Sequence, residues 1–247
     1  MAASTVSALR VKIFADGANL TSIKALAQNP VVRGFTTNPT LMRLAGVPDY
    51  KVFAHQVLEV IPHRPVSFEV FADDLAGMKG QAFEIASWGN NVNVKIPVTN
   101  TKGGSTASLV GELARGGVVC NVTAVFTLEQ VAAILQALPT DAPAIISIFA
   151  GRIADSGLDP VPLMREAVTL AARSHPRVEF IWASPRELLN ILQADEVGCQ
   201  IITVTEDVLK KLPLIGKDLA QYSLETVQMF YRDATAAGYS IGNTAKE

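Results

Sequence analysis

Apolar and β-branched residues recur in short runs along the whole chain: RVKIFA (10–15), GFTT (34–37), PVSFEVFA (65–72), NVNVKIPV (91–98), VVCNVTAV (118–125), AIISIFAG (144–151), VEFIWAS (178–184) and CQIITVT (199–205). Their length and residue choice are those of buried strands. Between them the apolar spacing turns helical, as in NLTSIKALAQN (19–29), DDLAGMKGQAFEIASWG (73–89), TLEQVAAILQAL (127–138) and PVPLMREAVTLAARS (160–174), each bounded by Gly, Pro, Asn or Asp. Strand and helix therefore alternate. Such alternation predicts a parallel sheet with right-handed crossovers, and eight units favour closure into a (β/α)8 TIM barrel over an open doubly wound sheet. The class is α/β, with one domain over residues 1–247 and no linker, low-complexity run or short-period repeat to divide it. The stretch from Lys217 onward, containing SLETVQMFYRDAT, predicts an additional C-terminal helix that covers the barrel or a neighbouring subunit.

In such a barrel the reactive end lies at the carboxyl ends of the strands, so the polar residues that interrupt these runs become informative. Asp16 closes the first strand and Thr37 with Asn38 the second; Glu69 is late in the third, and Lys95 lies in the fourth. Asn121 and Thr123 occupy the fifth, Ser147 the sixth with Arg152 after it, and Ser184 with Arg186 the end of the seventh. Seven consecutive strands thus each bring a polar group.

Lys95 is the sharpest of these, because VNVKIPV puts an amine inside an apolar strand. One reading is a strand-end lysine that snorkels or pairs with Glu69. The other is chemical: taking an amine out of water disfavours its charged form, and the neutral amine is the nucleophile that forms an imine with a ketone. Asp16 and Glu69 are the carboxylates available for proton transfer, since no histidine is placed at a strand end; Asp16 could instead cap the helix that follows, and Glu69 could be half of a structural ion pair. Arg152, Ser184 and Arg186 form a set suited to a terminal phosphate, where two planar guanidiniums and a hydroxyl meet anionic oxygens, unless both arginines are solvated loop residues. Asn38, Asn121, Thr123 and Ser147 are hydroxyl-binding groups or satisfy buried backbone.

Composition narrows the partners. About half of the 247 residues are apolar and the formal net charge is −2, which disfavours disorder and a polyanion-binding surface, so nucleic acid is not expected. The N-terminal MAASTVSALRVKIF has no long apolar core and no stretch approaches bilayer-spanning length, so neither membrane insertion nor export is expected and a cytoplasmic location is. Cys120 and Cys199 read as reduced core thiols, and His55, His63 and His175 have no metal-ligand spacing, so no metal is expected. No GxGxxG or P-loop opens the first unit, which weakens a nucleotide cofactor.

The pieces FADGAN, GFTTNPTL, FEV, VKIPVT, CNVTAVF, SIFAGR and WASPRE, in this order and over nearly the whole chain, resemble the transaldolase family, especially its short members and the fructose 6-phosphate aldolase-like ones. The resemblance implies a cofactor-free, class I Schiff-base transferase of the pentose phosphate pathway that moves a dihydroxyacetone unit from a ketose phosphate to an aldose phosphate. It further implies that Lys95 forms the imine, that Asp16 deprotonates the hydroxyl next to the bond that breaks, and that Glu69 and Thr123 hold the proton-relaying water. Asn38, Asn121 and Ser147 would bind the hydroxyls of the three-carbon unit, and Arg152, Ser184 and Arg186 the distal phosphate. Glu69 and Phe149 stand where the aldolase members carry Gln and Tyr, which places the sequence with the transferases. The rivals are an aldolase that releases free dihydroxyacetone and a non-catalytic sugar-phosphate binding barrel. A homo-oligomer is also implied. Gly17 where Thr usually follows the aspartate, Ile148 after the serine, Pro185 between Ser184 and Arg186, and TNTKGGSTAS after the lysine strand depart from the family pattern.

Overall fold

The computed structural model describes residues 6–239 and 241. Eight parallel strands close on themselves in sequence order: β1 (Lys12–Asp16), β2 (Val32–Thr36), β3 (Val66–Glu69), β4 (Val92–Pro97), β5 (Cys120–Val125), β6 (Ala144–Ile148), β7 (Val178–Trp182) and β8 (Ile201–Val204). The barrel seam is made by β1 and β8, paired from Lys12 with Ile201 to Ala15 with Val204. Around it run α1 (Leu20–Ala27), α2 (Pro39–Leu44), α3 (Tyr50–Val60), α4 (Leu75–Ala86), α5 (Ala107–Arg115), α6 (Leu128–Ala137), α7 (Ala150–Asp155), α8 (Pro160–Ser174), α9 (Leu189–Glu196), α10 (Glu206–Leu209) and α11 (Leu219–Ala236).

The helices start where the sequence supplies side-chain caps. Asn19, Asn38, Asp49, Asp74, Thr127, Asp159 and Asp218 each accept a backbone N–H of the first turn, and Thr127 with Gln130 forms a full capping box. Asn19 caps α1, so Asp16 is left free of that duty. Strands end earlier than the apolar runs do: β3 stops at Glu69, and Phe149 to Gly151 of AIISIFAG already belong to the cap and first turn of α7. The main core lies between barrel and helices, built from Val94, Ile96, Val122, Ile146, Phe180 and Trp182 against Met78, Leu113, Ile134 and Met164. A second cluster of Phe14, Ile145, Ile181, Ala183 and Ile201 fills the barrel interior. Gly34 is required there, because a Cβ at that position would lie 2.5 Å from the Phe14 ring.

Cys120 and Cys199 are free and buried, with thiols pushed up to about 12 by desolvation, as befits inert core residues. His175 caps α8 from inside, its ring contacting Ser174 Oγ and the Leu138 carbonyl oxygen. Among the described residues no helix is long and apolar enough to cross a membrane, and no three His, Cys, Asp or Glu side chains are grouped to hold a metal ion.

Candidate active site

Side chains alternate along a strand, and in a barrel sheathed by helices both faces are buried, so the inward positions are the ones free to be polar. In β4 the outward residues Val92, Val94 and Ile96 enter the core, whereas Asn93 and Lys95 face the lumen. At the carboxyl end these inward residues open into a cavity of about 380 Å³, lined by Asp16, Asn38, Glu69, Lys95, Thr123, Ser147, Phe149, Arg152 and Ser184, with Thr36 and Thr203. A larger hollow of about 560 Å³ lies at the opposite end, around Val6, Arg10, Lys12 and Arg33, away from the buried amine. Nine of the sequence-chosen side chains therefore converge on one cavity, and Asn121 and Arg186 stand outside its lining.

Lys95 is 7% exposed, and its Nζ lies 3.0 Å from Glu69 Oε2 and donates to the Thr37 carbonyl oxygen at 2.8 Å. The ion pair expected as one reading of Glu69 is thus present, in the wall of a cavity large enough for a small ligand. A neighbouring carboxylate at this distance can also accept the proton that an attacking amine must lose. Asp16, across the cavity, accepts a hydrogen bond from Thr36 Oγ1 at 2.8 Å. Desolvation is the largest influence on it and holds its carboxyl above the usual range, against the opposing pull of Lys95 and of the Thr36 bond. Because Thr36 has a single hydroxyl proton and gives it to Asp16, the contact between Thr36 and Thr203 must be donated by Thr203. The order Thr203 to Thr36 to Asp16 fixes the carboxylate's orientation from two strands.

Asn121 is fully buried one layer below. Its Nδ2 donates to Ser67 Oγ at 3.1 Å, and its Oδ1 accepts from Ser147 Oγ at 2.7 Å. Asn121 therefore orients Ser147, which does line the cavity, and spans β3, β5 and β6 as it does so. Asn38 lines the cavity while its Oδ1 caps α2 at Leu41 N, 3.0 Å away, leaving its NH2 group as the free donor.

On the far side, Ser184 sits in the left-handed region at φ 57°, a conformation that costs a non-glycine residue about 1 kcal/mol or more. Gly151 makes this possible: a Cβ there would lie 1.5 Å from the Ser184 carbonyl oxygen. Ala124, also on the cavity wall, is the other non-glycine residue with positive φ among the described ones, at 58°, where the β5–β6 register shifts. Arg152 stacks over the Phe149 ring, 5.5 Å from its centroid, and borders the cavity. Arg186 does not. Its Nε donates to Asp155 Oδ1 at 2.9 Å and a second nitrogen pairs with Oδ2, which pulls the guanidinium toward α7 and holds the Asp155 carboxyl below the usual range.

Thr36, Thr40 and Thr203 are polar cavity residues absent from the set chosen on sequence. The signal for Thr203 was available, since it is the one inward polar residue of CQIITVT and gives the eighth strand its contribution; Thr36 was hidden beside Thr37, one residue out of phase.

A family model described as Transaldolase/Fructose-6-phosphate aldolase matches residues 13–247. A protein of Dehalococcoides mccartyi (strain ATCC BAA-2266 / KCTC 15142 / 195) named "Probable transaldolase" is 37% identical over 215 residues, 86% of this chain and 96% of that protein. One of the same name from Thermoanaerobacter sp. (strain X514) is 32% identical over 224 residues, 91% of this chain and 98% of that one. Among solved structures, 2,3-dimethylmalate lyase, a PEP mutase/isocitrate lyase superfamily member, aligns with a TM-score of 0.54 at 12% identity, covering 97% of this chain and 88% of that one. That likeness extends to the barrel architecture alone.

Proposed function

Because the chain belongs to the transaldolase/fructose-6-phosphate aldolase family and is an enzyme of that family, we propose that it transfers a dihydroxyacetone unit between sugar phosphates through an imine on Lys95. The observation that carries this reading is the buried Lys95 Nζ, 3.0 Å from Glu69 Oε2 inside the cavity that also holds Asp16.

In this reading the Lys95 ammonium gives a proton to Glu69, directly or through a water held with Thr123, and the free amine attacks C2 of the ketose phosphate. The carbinolamine formed loses water as Glu69 returns the proton to the departing hydroxyl. Asp16 then takes the proton from the C4 hydroxyl, the C3–C4 bond breaks, and its electron pair moves into the imine to give the enamine. A carboxyl whose proton affinity is raised by desolvation suits that task. The aldose phosphate leaves, an acceptor aldehyde takes its place, and the steps run backwards with Asp16 as the acid. Asn38 and Ser147 would hold the three-carbon hydroxyls, Ser147 kept in place by Asn121. Arg152 and Ser184 would meet the distal phosphate, with Arg186 able to join only on leaving Asp155.

Release of free dihydroxyacetone is the second reading, and Phe149 disfavours it. Phe149 borders the cavity with a ring that has no hydroxyl, so it offers no proton to the enamine carbon. The intermediate should then wait for an aldehyde.

The test is one preparation under two conditions. Borohydride added with fructose 6-phosphate should leave a three-carbon adduct on Lys95 by peptide mapping, and an adduct on another lysine would overturn the mechanism. Fructose 6-phosphate alone should yield little dihydroxyacetone, whereas erythrose 4-phosphate added to it should give rapid sedoheptulose 7-phosphate. Comparable rates of the two products would establish the aldolase reading in its place. We also propose that the enzyme is a homo-oligomer, since α11 exposes Leu219, Leu224, Val227, Phe230 and Tyr231 and buries none of its residues.

A further inference from the structure

Glu69 ends β3 with an unusual set of backbone partners. Val66 N–H bonds the Asn91 carbonyl oxygen and Val70 N–H that of Lys95, so residues 66, 68 and 70 direct their backbone groups toward β4 and residues 67 and 69 theirs toward β2. The β2 ladder, however, stops at the pairing of Thr36 with Ser67. Two residues further on, where a strand would face Glu69, Asn38 has already turned into the cap of α2. The N–H and C=O of Glu69 are thus left without a strand. The hydroxyl of Tyr50, the first residue of α3, takes both: it accepts from Glu69 N at 2.6 Å and donates to the Glu69 carbonyl oxygen at 3.0 Å. Its ring is gripped by Phe68, Phe71 and Trp88, with centroids 6.1, 4.6 and 5.6 Å away, and burial raises the phenol's proton affinity, which keeps the donor in place.

We propose that Tyr50 is a positioning residue for Glu69, its hydroxyl standing in for the missing β2 rung and so fixing the carboxylate 3.0 Å from Lys95 Nζ. The inference rests on the reading of Glu69 as the group that exchanges protons with the Lys95 amine during imine formation. Tyr50 touches neither the amine nor the cavity, and a phenylalanine would preserve its packing while leaving a buried N–H and C=O unpaired. The strand end then relaxes, and the cost falls on imine formation and not on phosphate binding or on carbon–carbon cleavage at Asp16.

The experiment is a double-mutant cycle of Tyr50→Phe and Glu69→Gln, read as the single-turnover rate of the borohydride-trapped adduct with fructose 6-phosphate. Tyr50→Phe should slow trapping roughly ten-fold with KM for the sugar within about two-fold of wild type, the loss typical of one well-placed hydrogen-bonding group. In the Glu69→Gln background the same change should have little further effect. Equal losses in both backgrounds, or a wild-type trapping rate in Tyr50→Phe, would overturn the proposal while leaving the imine mechanism intact. Absence of any adduct in the wild type would remove the mechanism and this role together. Should Tyr50→Phe not fold, 4-aminophenylalanine placed at position 50 restores a donor and a weak acceptor in the same ring. Trapping slowed less than about five-fold supports the role, and any larger loss with unchanged KM in that isosteric variant overturns it.

Discussion

Asp16 illustrates how a residue proposed to move a proton can work against the stability of its own fold. Its carboxyl is held above its unbound value of 3.8 chiefly by desolvation, so the folded state binds that proton more tightly than the unfolded chain does. The sign follows: the penalty is absent below about pH 3.8, grows as pH rises, and is complete above the folded-state value. Asp16→Asn keeps an oxygen to accept from Thr36 while removing the charge. It should abolish transfer yet raise the melting temperature, with little gain near pH 4 and the full gain toward pH 8, each kcal/mol being worth about 2–4 °C in a chain of this size. Melting curves across that range check it, and a gain independent of pH would show that charge burial is not the cause. This residue was readable in the sequence because it interrupts an apolar run at its carboxyl end, as were Glu69, Lys95, Thr123 and Ser147. Tyr50 was not, because its effect is exerted on another residue's backbone across a helix–strand contact that no spacing rule describes.

At the scale of elements, α7 decides how the proposed phosphate end is built. It begins immediately after β6, which brings Arg152 to the cavity on its first turn and puts Asp155 one turn later, where it captures Arg186. The FAG residues of AIISIFAG looked like strand because apolar composition does not separate a buried strand from a buried helical turn. That ambiguity also concealed Asp155, whose position follows only from the helix. Arg152→Ala should lower kcat/KM for fructose 6-phosphate by about ten-fold to a hundred-fold, the cost of a charge-assisted contact, and affect an unphosphorylated donor such as fructose much less. Arg186→Ala should cost less than Arg152→Ala, since in the free enzyme its guanidinium is already paired. Kinetics with the two donors separate these cases; a larger loss for Arg186→Ala would mean that substrate draws it away from Asp155.

At the scale of the whole molecule, the barrel and the closing helix were both legible, the first from eight repeats of one alternation and the second from SLETVQMFYRDAT. What the periodicity left open was the partner of that helix. A lone helix gains most of its stability from packing an apolar face, and α11 fully buries none of its residues, so its exposed Val227 and Phe230 need another surface. The proposed assembly gives a direct outcome. Val227→Glu with Phe230→Glu should leave the barrel folded, because both sites are exposed, and should reduce the mass seen by light scattering. An unchanged mass would place the subunit contacts elsewhere.

The seam between β1 and β8 has a consequence for the order of events when the chain acquires its activity. Asp16 takes its orientation from Thr36, and Thr36 from Thr203, residues 167 positions apart that meet only across the closed ring. Such a contact has high sequence separation, so the loop entropy of joining the two ends is spent before the carboxylate is held. Partly folded intermediates with most of their secondary structure formed would therefore be inert. In a refolding time course, far-UV circular dichroism should recover ahead of the capacity to cleave fructose 6-phosphate, and Thr203→Val should widen that lag, making turnover a clock for the last step of closure.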